Sequence, residues 1–402
     1  MPEDAPVSLP EAVRVTAADD LSAFDALVGD AHVVALGENN HGIREFGALR
    51  ARLVRHLVRE RDFGVVALES GFAESALVDG WVQGGPGDPD EIARDGFTFR
   101  AGDAAEMQEL VGGLRSHVAG GGRVRFVGLD LPGSGGSPEP ALRRVRESLG
   151  SEVDALVEAA LKATAGYAAA NNGLAPGRYA VLDAEARDRA TAALTRVLLR
   201  VEALGPRASV ERHLALGALR LDEQLREFAV LFAPDPPARV VSSRDVYMAE
   251  TVRRLREWAR PDERIVLLLH DGHAQRVPFT FLPGVTAPSA GTLLAEAHGD
   301  DYAVVGLTAL AGTTTGLAVD ETGRHGITVH PEPLGNPAPG GVEQAVLELG
   351  GAPVLLDLRA ARGDVGGPLS IRHATTHIPV DVCAGYDGIY CLPQQQTSAF
   401  VG

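Results

Sequence analysis

The sequence predicts an α/β fold in which helices flank a mostly parallel central sheet and a helical insertion covers a cleft. Short apolar runs with the length and composition of buried strands alternate with stretches of helical periodicity along most of the 402 residues. This alternation is typical of parallel strands joined by right-handed helical crossovers. A block from about residue 139 to 233 interrupts it, because alanine, leucine and charged residues dominate there and strand patterns are absent.

The first buried strand sets the pattern for the others. The apolar run Val33–Leu36 stops at Gly37, and apolar residues then recur at three- and four-residue steps from residue 43 to 58. That periodicity predicts an amphipathic helix. Glu38 and His41 therefore lie in a short loop at the carboxyl end of a strand, where open α/β sheets place their ligand crevice.

The remaining elements follow from the same two patterns. Further strands are expected at residues 65–68, 124–129, 265–269, 302–307, 354–356 and 388–392, with a hairpin-like region at 313–329. Helices are expected at 73–82, 104–118, 246–259, 291–297 and 340–349. Residues 1–31 are interpreted as an exposed lead-in with a helix at 17–28, and residues 84–90 as a loop.

The block from 139 to 233 is interpreted as a helical insertion within one domain that spans residues 1–402. Its helices are expected at 139–149, 151–172, 183–203 and 209–232, and we expect them to pack on the crevice side or the flank of the sheet. The Gly-rich stretch at 133–137 lacks the Gly-Lys-Ser/Thr ending of a phosphate loop and is predicted to be an ordinary loop.

Composition restricts the class of partner. The net charge of −17 repels phosphate backbones, so nucleic-acid binding is not expected. No apolar run reaches 18 residues and the first residues lack the pattern of a signal peptide, which predicts a cytoplasmic protein without a membrane partner. Cys383 and Cys391 provide no disulfide framework and are predicted to be small core residues. No cofactor is expected.

Ionisable residues stand at the carboxyl ends of four predicted strands. Glu38 and His41 follow the first, and the others are followed by Glu69, by Asp130, and by His270 with His273. Each alone could cap a helix or satisfy a backbone group, but several in one semi-buried crevice cost stability unless they pair. Together they predict a functional site at one edge of the sheet.

The chemistry of this site can be bounded by elimination. A Gly-x-Ser-x-Gly elbow is absent and neither cysteine follows a predicted strand-to-helix turn, so serine and cysteine nucleophiles are disfavoured. His-activated water, or proton abstraction from a substrate, remains. His41 precedes a helix, whose positive end is expected to keep the imidazole neutral. A metal held by histidines and carboxylates stays open as an alternative, whereas His373 and His377 are interpreted as surface residues of a strand or loop.

Two arginines could bind an anionic or carbonyl group. Arg244 directly precedes a predicted helix and is well placed to do so, whereas Arg50 lies nine residues after His41 and need not face the crevice. The alternative for both is an ordinary surface ion pair.

The run from Gly37 to Phe46 resembles the Gly-Glu-x-x-His-Gly-x-x-Glu-Phe motif of the erythromycin esterase family. Similar segments follow in order: Ala67-Leu68-Glu69, Phe126-Val127-Gly128-Leu129-Asp130, Arg244-Asp245 with Met248-Ala249-Glu250, His270-Asp271-Gly272-His273, and Tyr386-Asp387-Gly388-Ile389. The resemblance spans about residues 30 to 392. It departs from the family at Asp271, where an asparagine is common.

The resemblance implies an α/β core with a helical insertion that forms a cleft, and hydrolysis of a macrolide lactone by water that a histidine activates. His41 matches that histidine. Other positions that match family site residues are Glu38, Glu69, Arg50, His270 and His273. Substrate binding is assigned to Arg50, Glu45, Asp130 and Arg244.

The leading hypothesis is a metal-independent hydrolase of an ester or macrolactone, acting on a macrolide-like natural product. His41 would take a proton from water, Glu38 would orient His41, and Glu69 would hold the water or the imidazole. The developing oxyanion would be stabilised by His270, His273 and Arg50 or Arg244. One alternative is a biosynthetic enzyme that uses the same base for elimination, cyclisation or rearrangement; another is a metal- or haem-binding protein.

Overall fold

A computed structural model describes residues 9–260, 262–320, 322, 325–364 and 366–400. Its central sheet has nine strands, eight of them in the order β1-β10-β13-β8-β2-β5-β3-β4, while β9 pairs with β8. The strands are β1 (Arg14–Ala17), β2 (Val33–Leu36), β3 (Phe63–Gly71), β4 (Arg125–Asp130), β5 (Arg264–Leu268), β8 (Tyr302–Val319), β9 (Ile327–Pro333), β10 (Val354–Asp357) and β13 (Gly388–Gln395). Two small hairpins lie apart: β6 (Phe279–Leu282) with β7 (Val285–Ala287), and β11 (Ser370–His373) with β12 (Thr376–Pro379).

The helices surround this sheet. In chain order they are α1 (Leu21–Val28), α2 (Arg44–Glu60), α3 (Ser75–Val82), α4 (Pro89–Asp95), α5 (Ala105–Ala119), α6 (Glu139–Leu149), α7 (Asp154–Thr164), α8 (Ala175–Ala180), α9 (Ala184–Glu202), α10 (Ser209–Leu231), α11 (Ser243–Trp258), α12 (Asp271–Ala274), α13 (Ala290–His298), α14 (Val342–Glu348) and α15 (Val382–Gly385). In the described part of the chain, none of them is long and apolar enough to cross a membrane.

The sheet is mostly parallel and buried on both faces, which confirms the predicted fold class. The strands from β13 through β8, β2, β5 and β3 to β4 run parallel, whereas β1 and β10 add an antiparallel edge. Alternate residues of β2 point to opposite cores: Val34 and Leu36 pack with α2 and α5, while Val33 and Ala35 pack with α11 and α13. Continuous apolar strands are therefore required, since neither face meets water.

The block from 139 to 233 holds helices α6 to α10. Their shared apolar cluster includes Ala73, two residues after the end of β3, and a second cluster includes Leu131, which directly follows β4. The helices thus rest on the carboxyl ends of these two strands. The segment between α7 and α8 also contacts the connection from β8 to β9, where the side-chain amide of Asn171 donates to the carbonyl oxygen of His325 at 2.7 Å.

Several elements differ from the sequence-based expectations. The lead-in contains strand β1, which pairs with β10 at the sheet edge, and its helix begins at Leu21 rather than at residue 17; residues 1–8 of that lead-in lie outside the described residues. Part of the expected 84–90 loop belongs to α4, which Asp88 caps and Pro89 begins. The expected helix at 151–172 ends at Thr164. Strand β1 and the hairpins β6–β7 and β11–β12 were missed because they lack a buried apolar run.

Candidate functional site

The loop between β2 and α2 is fixed by close contacts with the rest of the sheet. A Cβ atom on Gly37 would lie 1.8 Å from Oδ1 of Asp271, so only glycine lets the chain pass there. The side chain of Asn39 donates to Gln395 at 2.9 Å, and that of Asn40 donates to Thr314 at 2.8 Å. Glu38 precedes Asn39 and His41 follows Asn40. These two hydrogen bonds therefore fix the positions of the Glu38 carboxylate and the His41 ring.

Glu38 links a buried arginine to His41. Its Oε1 lies 2.7 Å from Nη1 of Arg50 and 2.9 Å from Nδ1 of His41. Arg50 is buried, and its Nη2 donates to the carbonyl oxygens of Leu36 and Leu269, where β2 and β5 end. Arg50 thus faces inward and supports the loop, although its position on α2 left its orientation open.

His41 lies between two carboxylates. Its Nδ1 faces Glu38, its Nε2 lies 3.5 Å from Oε1 of Glu69, and about half of its side chain (49%) stays exposed. Desolvation opposes a charge on the ring, but Glu69 and Glu38 outweigh it and raise the pKa of His41 to about 10.

The expectation that His41 stays neutral is therefore wrong for the free protein. Helix α2 begins only at Arg44, three residues further on, whereas both carboxylates lie within 3.5 Å of the ring nitrogens. Full negative charges at contact distance outweigh the partial charge of a helix end. His41 carries a proton at neutral pH.

Glu69 occupies the centre of the cluster. It follows Leu68 where the pairing of β3 with β4 shifts register, and such an irregularity re-aims a side chain. Its Oε2 accepts from the backbone N–H of His270 at 2.7 Å, and its Oε1 accepts from Arg244 at 2.8 Å. Burial opposes ionisation of Glu69, but the charges of His273, His41 and Arg244 hold its pKa well below the usual range.

Arg244 joins two strand ends. Its guanidinium donates to Asp130 at 2.6 to 3.0 Å as well as to Glu69, and it stacks 5.5 Å from the ring centre of Phe99. Burial lowers the pKa of Arg244, yet Asp130 and Glu69 outweigh this and raise it. Arg244 thus binds both carboxylates, and its Nη1 also lies 3.2 Å from Nε2 of His273.

His273 has its own carboxylate, which the sequence analysis missed. Nδ1 of His273 lies 2.7 Å from Oδ1 of Asp245, and its Nε2 lies 3.6 Å from Glu69. Burial opposes the charge, but Asp245 and Glu69 raise the pKa of His273. The place of Asp245 in the sequence could have identified it as a site residue, because it directly follows Arg244 at the start of a predicted helix.

His270 makes backbone contacts through both ring nitrogens. Its Nδ1 accepts from the N–H of Gly272 at 3.0 Å, and its Nε2 lies 3.0 Å from the carbonyl oxygen of Asn39. This arrangement makes Nε2 the donor. Burial, with His373 and His41 nearby, holds the pKa of His270 well below its usual range. A neutral ring with no free N–H does not fit the expected role in stabilising an oxyanion.

His373 is a second residue that the sequence analysis did not place in the site. It ends β11, and its ring centre lies 4.5 Å from that of His270 rather than on the surface. Burial, with His273 and His41 nearby, lowers the pKa of His373 to about 4. His373 therefore packs against the ring of His270 as an uncharged side chain.

Asp271 is the residue at which the sequence departs from the motif that it resembles. The side chain is fully buried against Gly37, and burial raises its pKa well above the usual range. A carboxyl group is nearly isosteric with a carboxamide, so aspartate fills the same space that asparagine would fill at this position.

Glu45 lies apart from the cluster. Its Oε2 accepts from the backbone N–H of Gln396 at 2.7 Å, and its Oε1 accepts from Arg44. It does not line the pocket beside His41. The geometry gives Glu45 a structural role at the start of α2 and does not fit the expected role in substrate binding.

The charges of the cluster balance when two histidines are protonated. Four buried carboxylates face two guanidinium groups, so positive charges on His41 and His273 bring the described cluster to neutrality. The members are Glu38, Glu69, Asp130 and Asp245 against Arg50 and Arg244. Each proton that leaves a histidine exposes a net negative charge, which favours its return.

An apolar pocket opens beside His41, between α2, α5 and the β8–β9 hairpin. Its walls include Leu68, Met107, Leu317 and Phe400. The pocket can bury an apolar group next to the exposed edge of the imidazole. Among the described residues, no group of three His, Cys, Asp or Glu side chains is arranged to hold a metal ion.

Comparison with known proteins gives one consistent result. The family model for erythromycin esterase matches residues 58–384. Erythromycin esterase type II of Escherichia coli is 26% identical over 397 residues, which cover 95% of this chain and 94% of that protein. Erythromycin esterase type I of Escherichia coli is 27% identical over 298 residues, which cover 69% and 71%.

Solved structures share the fold. A histidine-to-asparagine mutant of the erythromycin esterase EreC, in its open conformation, gives a TM-score of 0.80 at 22% identity and covers 95% of both chains. A succinoglycan biosynthesis protein gives a TM-score of 0.71 at 18% identity and covers 96% of this chain and 93% of its own. At these identities the likeness supports the architecture alone.

Proposed function

Because the chain belongs to the erythromycin esterase family and is thus an esterase-type enzyme, we propose that it opens an ester or macrolactone with water that His41 activates. The observation that carries the proposal is the position of His41. One ring nitrogen is held by Glu38, the other faces Glu69, and the ring edge is open to an apolar pocket.

The proposed substrate is a macrolide-like natural product. The two similar Escherichia coli proteins are named erythromycin esterases. A pocket with apolar walls beside a charged cluster suits a molecule that is largely apolar and carries one reactive carbonyl group.

In the proposed mechanism the deprotonated form of His41 is the base. Glu38 fixes the ring through Nδ1, so that Nε2 takes a proton from water as the water oxygen attacks the carbonyl carbon. The proton on Nε2 then lies beside Glu69, whose charge stabilises the imidazolium. When the tetrahedral intermediate collapses, the bond between the carbonyl carbon and the ester oxygen breaks, and the imidazolium gives its proton to the departing alkoxide, so that the products are a carboxylic acid and an alcohol. A high pKa makes His41 a strong base but leaves few molecules deprotonated at neutral pH, so the rate should rise with pH.

His273 is proposed to stabilise the oxyanion, and His270 to act as a positioning residue. Asp245 and Glu69 raise the pKa of His273 and so favour its protonated form, which would stabilise a developing oxyanion. His270 instead uses both ring nitrogens on backbone groups and so fixes the loop that ends in His41. Arg244 and Asp130 are proposed to hold Glu69, and Arg50 to hold Glu38.

We also infer that helices α6 to α10, within a single domain, form the wall of the cleft that faces the β8–β9 hairpin. Ala73 and Leu131, which they pack against, lie next to the strand ends that carry Glu69 and Asp130. The contact of Asn171 with the hairpin limits the width of the cleft at that point.

The first test replaces His41 with glutamine. We expect the variant to lose at least about a hundredfold in kcat/KM on a panel of macrolides, because general-base catalysis contributes about that much or more. The matched control is His32→Gln, which removes a histidine paired with Asp301 at the opposite end of β2. Retained turnover in a folded His41→Gln protein would overturn the proposal.

Product mass identifies the reaction. Hydrolysis adds one water to the substrate, elimination removes one, and rearrangement conserves the mass. A product heavier by one water supports the hydrolase. A lighter or isobaric product would support instead a biosynthetic enzyme that uses the same base.

A further inference from the structure

A second pocket lies between helices α3, α10 and α11, beside the edge strand β4. Its walls include the aromatic rings of Phe72 and Trp258, and its volume is about 360 Å³, within the range of small-molecule sites. Among the described residues, none lines both this pocket and the one beside His41. The two pockets lie against opposite faces of the sheet, because Leu255 belongs to the core on the α11 side and Leu68 to the core on the α2 side.

The apolar walls of this second pocket are only partly covered by the protein. Phe72 and Trp258 have ring centres 6.1 Å apart, and both side chains keep some exposed surface. Val210, in the first turn of α10, also lines the pocket and is 41% exposed. The pocket therefore reaches the protein surface at Val210 and presents apolar area that a hydrocarbon group would remove from water.

The charged residues that line the second pocket are three arginines and two carboxylates. Arg125 lies 2.7 Å from Asp79, and Arg260 lies 3.2 Å from Glu263, so these four residues form two ion pairs. Arg144 is the fifth, and it forms no ion pair with any described residue. The lining therefore carries one positive charge in excess, on a protein whose formal net charge is −17.

Arg144 is held at the pocket by an uncharged partner. Its Nη1 donates to the carbonyl oxygen of Ala73 at 3.0 Å, and its side chain is partly buried. Burial raises the pKa of Glu74 to about 7, and the charge of Arg144 opposes this rise, but the two side chains form no ion pair. Since a guanidinium group has five N–H donors, Arg144 keeps donors for an anion in the pocket.

From these observations we propose that the second pocket binds a small amphipathic carboxylic acid. Its carboxylate pairs with Arg144, and its hydrocarbon chain packs against Phe72 and Trp258. The single excess charge matches one carboxylate, whereas an anionic membrane surface is bound by clusters of basic residues. This inference does not depend on the proposed hydrolysis, because the pocket shares no described residue with the site around His41.

The test compares octanoate with octanamide, which has nearly the same shape but no charge, by calorimetric titration. We expect the wild-type protein to bind octanoate about tenfold more tightly, which corresponds to 1.4 kcal/mol, and we expect Arg144→Gln to remove that preference. The matched control is Arg143→Gln, because Arg143 is the preceding residue of α6, pairs with Glu139 and does not line the pocket. An equal preference in wild type and Arg144→Gln would overturn the inference.

A second variant keeps the test decisive if Arg144→Gln does not fold. Val210→Glu places a negative charge at the exposed mouth of the pocket, so it should weaken the binding of octanoate but not of octanamide. Octanoate that binds Val210→Glu as tightly as wild type would overturn the inference.

Trp258 reports whether the acid binds in this pocket. The chain has two tryptophans, so in Trp81→Phe the fluorescence comes from Trp258. We expect that fluorescence to change as octanoate saturates the protein, and His41→Gln should leave the affinity unchanged. Calorimetric binding without a change at Trp258 would place octanoate elsewhere and overturn the inference. A dimer that Val210→Glu dissociates in sedimentation experiments would also overturn it, because a second copy of the chain would then cover the pocket.

Discussion

At the scale of single residues, the protonation state of His41 governs the chemistry. The ring has a carboxylate at each nitrogen, and Glu69 is the larger cause of its raised pKa after desolvation, which acts in the opposite sense. Below a pKa of about 10, the deprotonated fraction rises about tenfold for each pH unit. A base of this kind gives a rate that increases from neutral to alkaline pH.

We therefore predict that kcat/KM of the wild-type protein rises with pH and levels off near pH 10, the pKa of His41. Glu69→Gln should move this ascending limb to lower pH, because it removes the largest of the charges that raise the pKa. Glu257→Gln, an exposed change in α11, should leave the limb in place. A rate that falls with rising pH over this range would identify His41 as an acid instead.

Gly37 is the residue that most restricts the backbone at the site. Gly37→Ala would place Cβ against Asp271 and 3.2 Å from the Cα atom of Gly306, and neither can move freely in the buried core. We predict a loss of about 1–3 kcal/mol in the free energy of unfolding, measured with denaturant. Gly80→Ala is the matched control: Gly80 is an exposed residue of α3 with nothing within 4 Å of a Cβ atom, so that change should be neutral or stabilising. An equal loss of unfolding free energy in the two variants would contradict the idea that the close contact with Asp271 requires glycine at position 37.

At the scale of elements, the start of α2 is tied to the last described residues of the chain. Glu45 accepts the backbone N–H of Gln396, and the N–H of Arg44 donates to the carbonyl oxygen of Gln396 at 2.9 Å. The same segment carries Phe400 into the wall of the pocket. Glu45 therefore affects the pocket only indirectly, because it holds the segment that carries Phe400.

We predict that Glu45→Ala lowers the free energy of unfolding by about 1 kcal/mol, because it removes a charged hydrogen-bond acceptor. KM for a short alkyl ester should stay unchanged. Glu60→Ala, an exposed change at the other end of α2, should alter stability by less than about 0.5 kcal/mol. A raised KM with normal stability would restore the substrate-binding role that the sequence suggested.

Elements were predictable where burial left a pattern in the chain. The buried strands β2, β3, β4 and β5 are apolar on both faces, so their positions can be read directly. Strand β1 was missed because it is mostly exposed at the sheet edge, and the hairpin β11–β12 because its strands mix polar and apolar residues and are only partly buried. Such short strands depend on their partners rather than on their own sequence.

At the scale of the whole molecule, net charge opposes folding. The formal charge of −17 at pH 7 implies self-repulsion in the compact state. Screening shortens the range of that repulsion to about 8 Å at physiological ionic strength.

We predict that Tm at pH 7 rises when NaCl is increased from about 0.01 M to about 0.15 M. The control is the same comparison near pH 5.1, the isoelectric point, where the net repulsion vanishes and the rise should be much smaller. A fall of Tm with salt at pH 7 would mean that attractive ion pairs dominate the electrostatics of the fold.

The sequence by itself determined the α/β architecture, the helical block and the strand ends that carry Glu38, Glu69, Asp130 and His270. These features depend on local periodicity and on burial, and both can be recognised from the residues of each segment alone. Only the tertiary structure decided what those side chains do. The charge on His41 and the backbone contacts that occupy His270 depend on distances between residues far apart in the chain, and no local pattern encodes such distances.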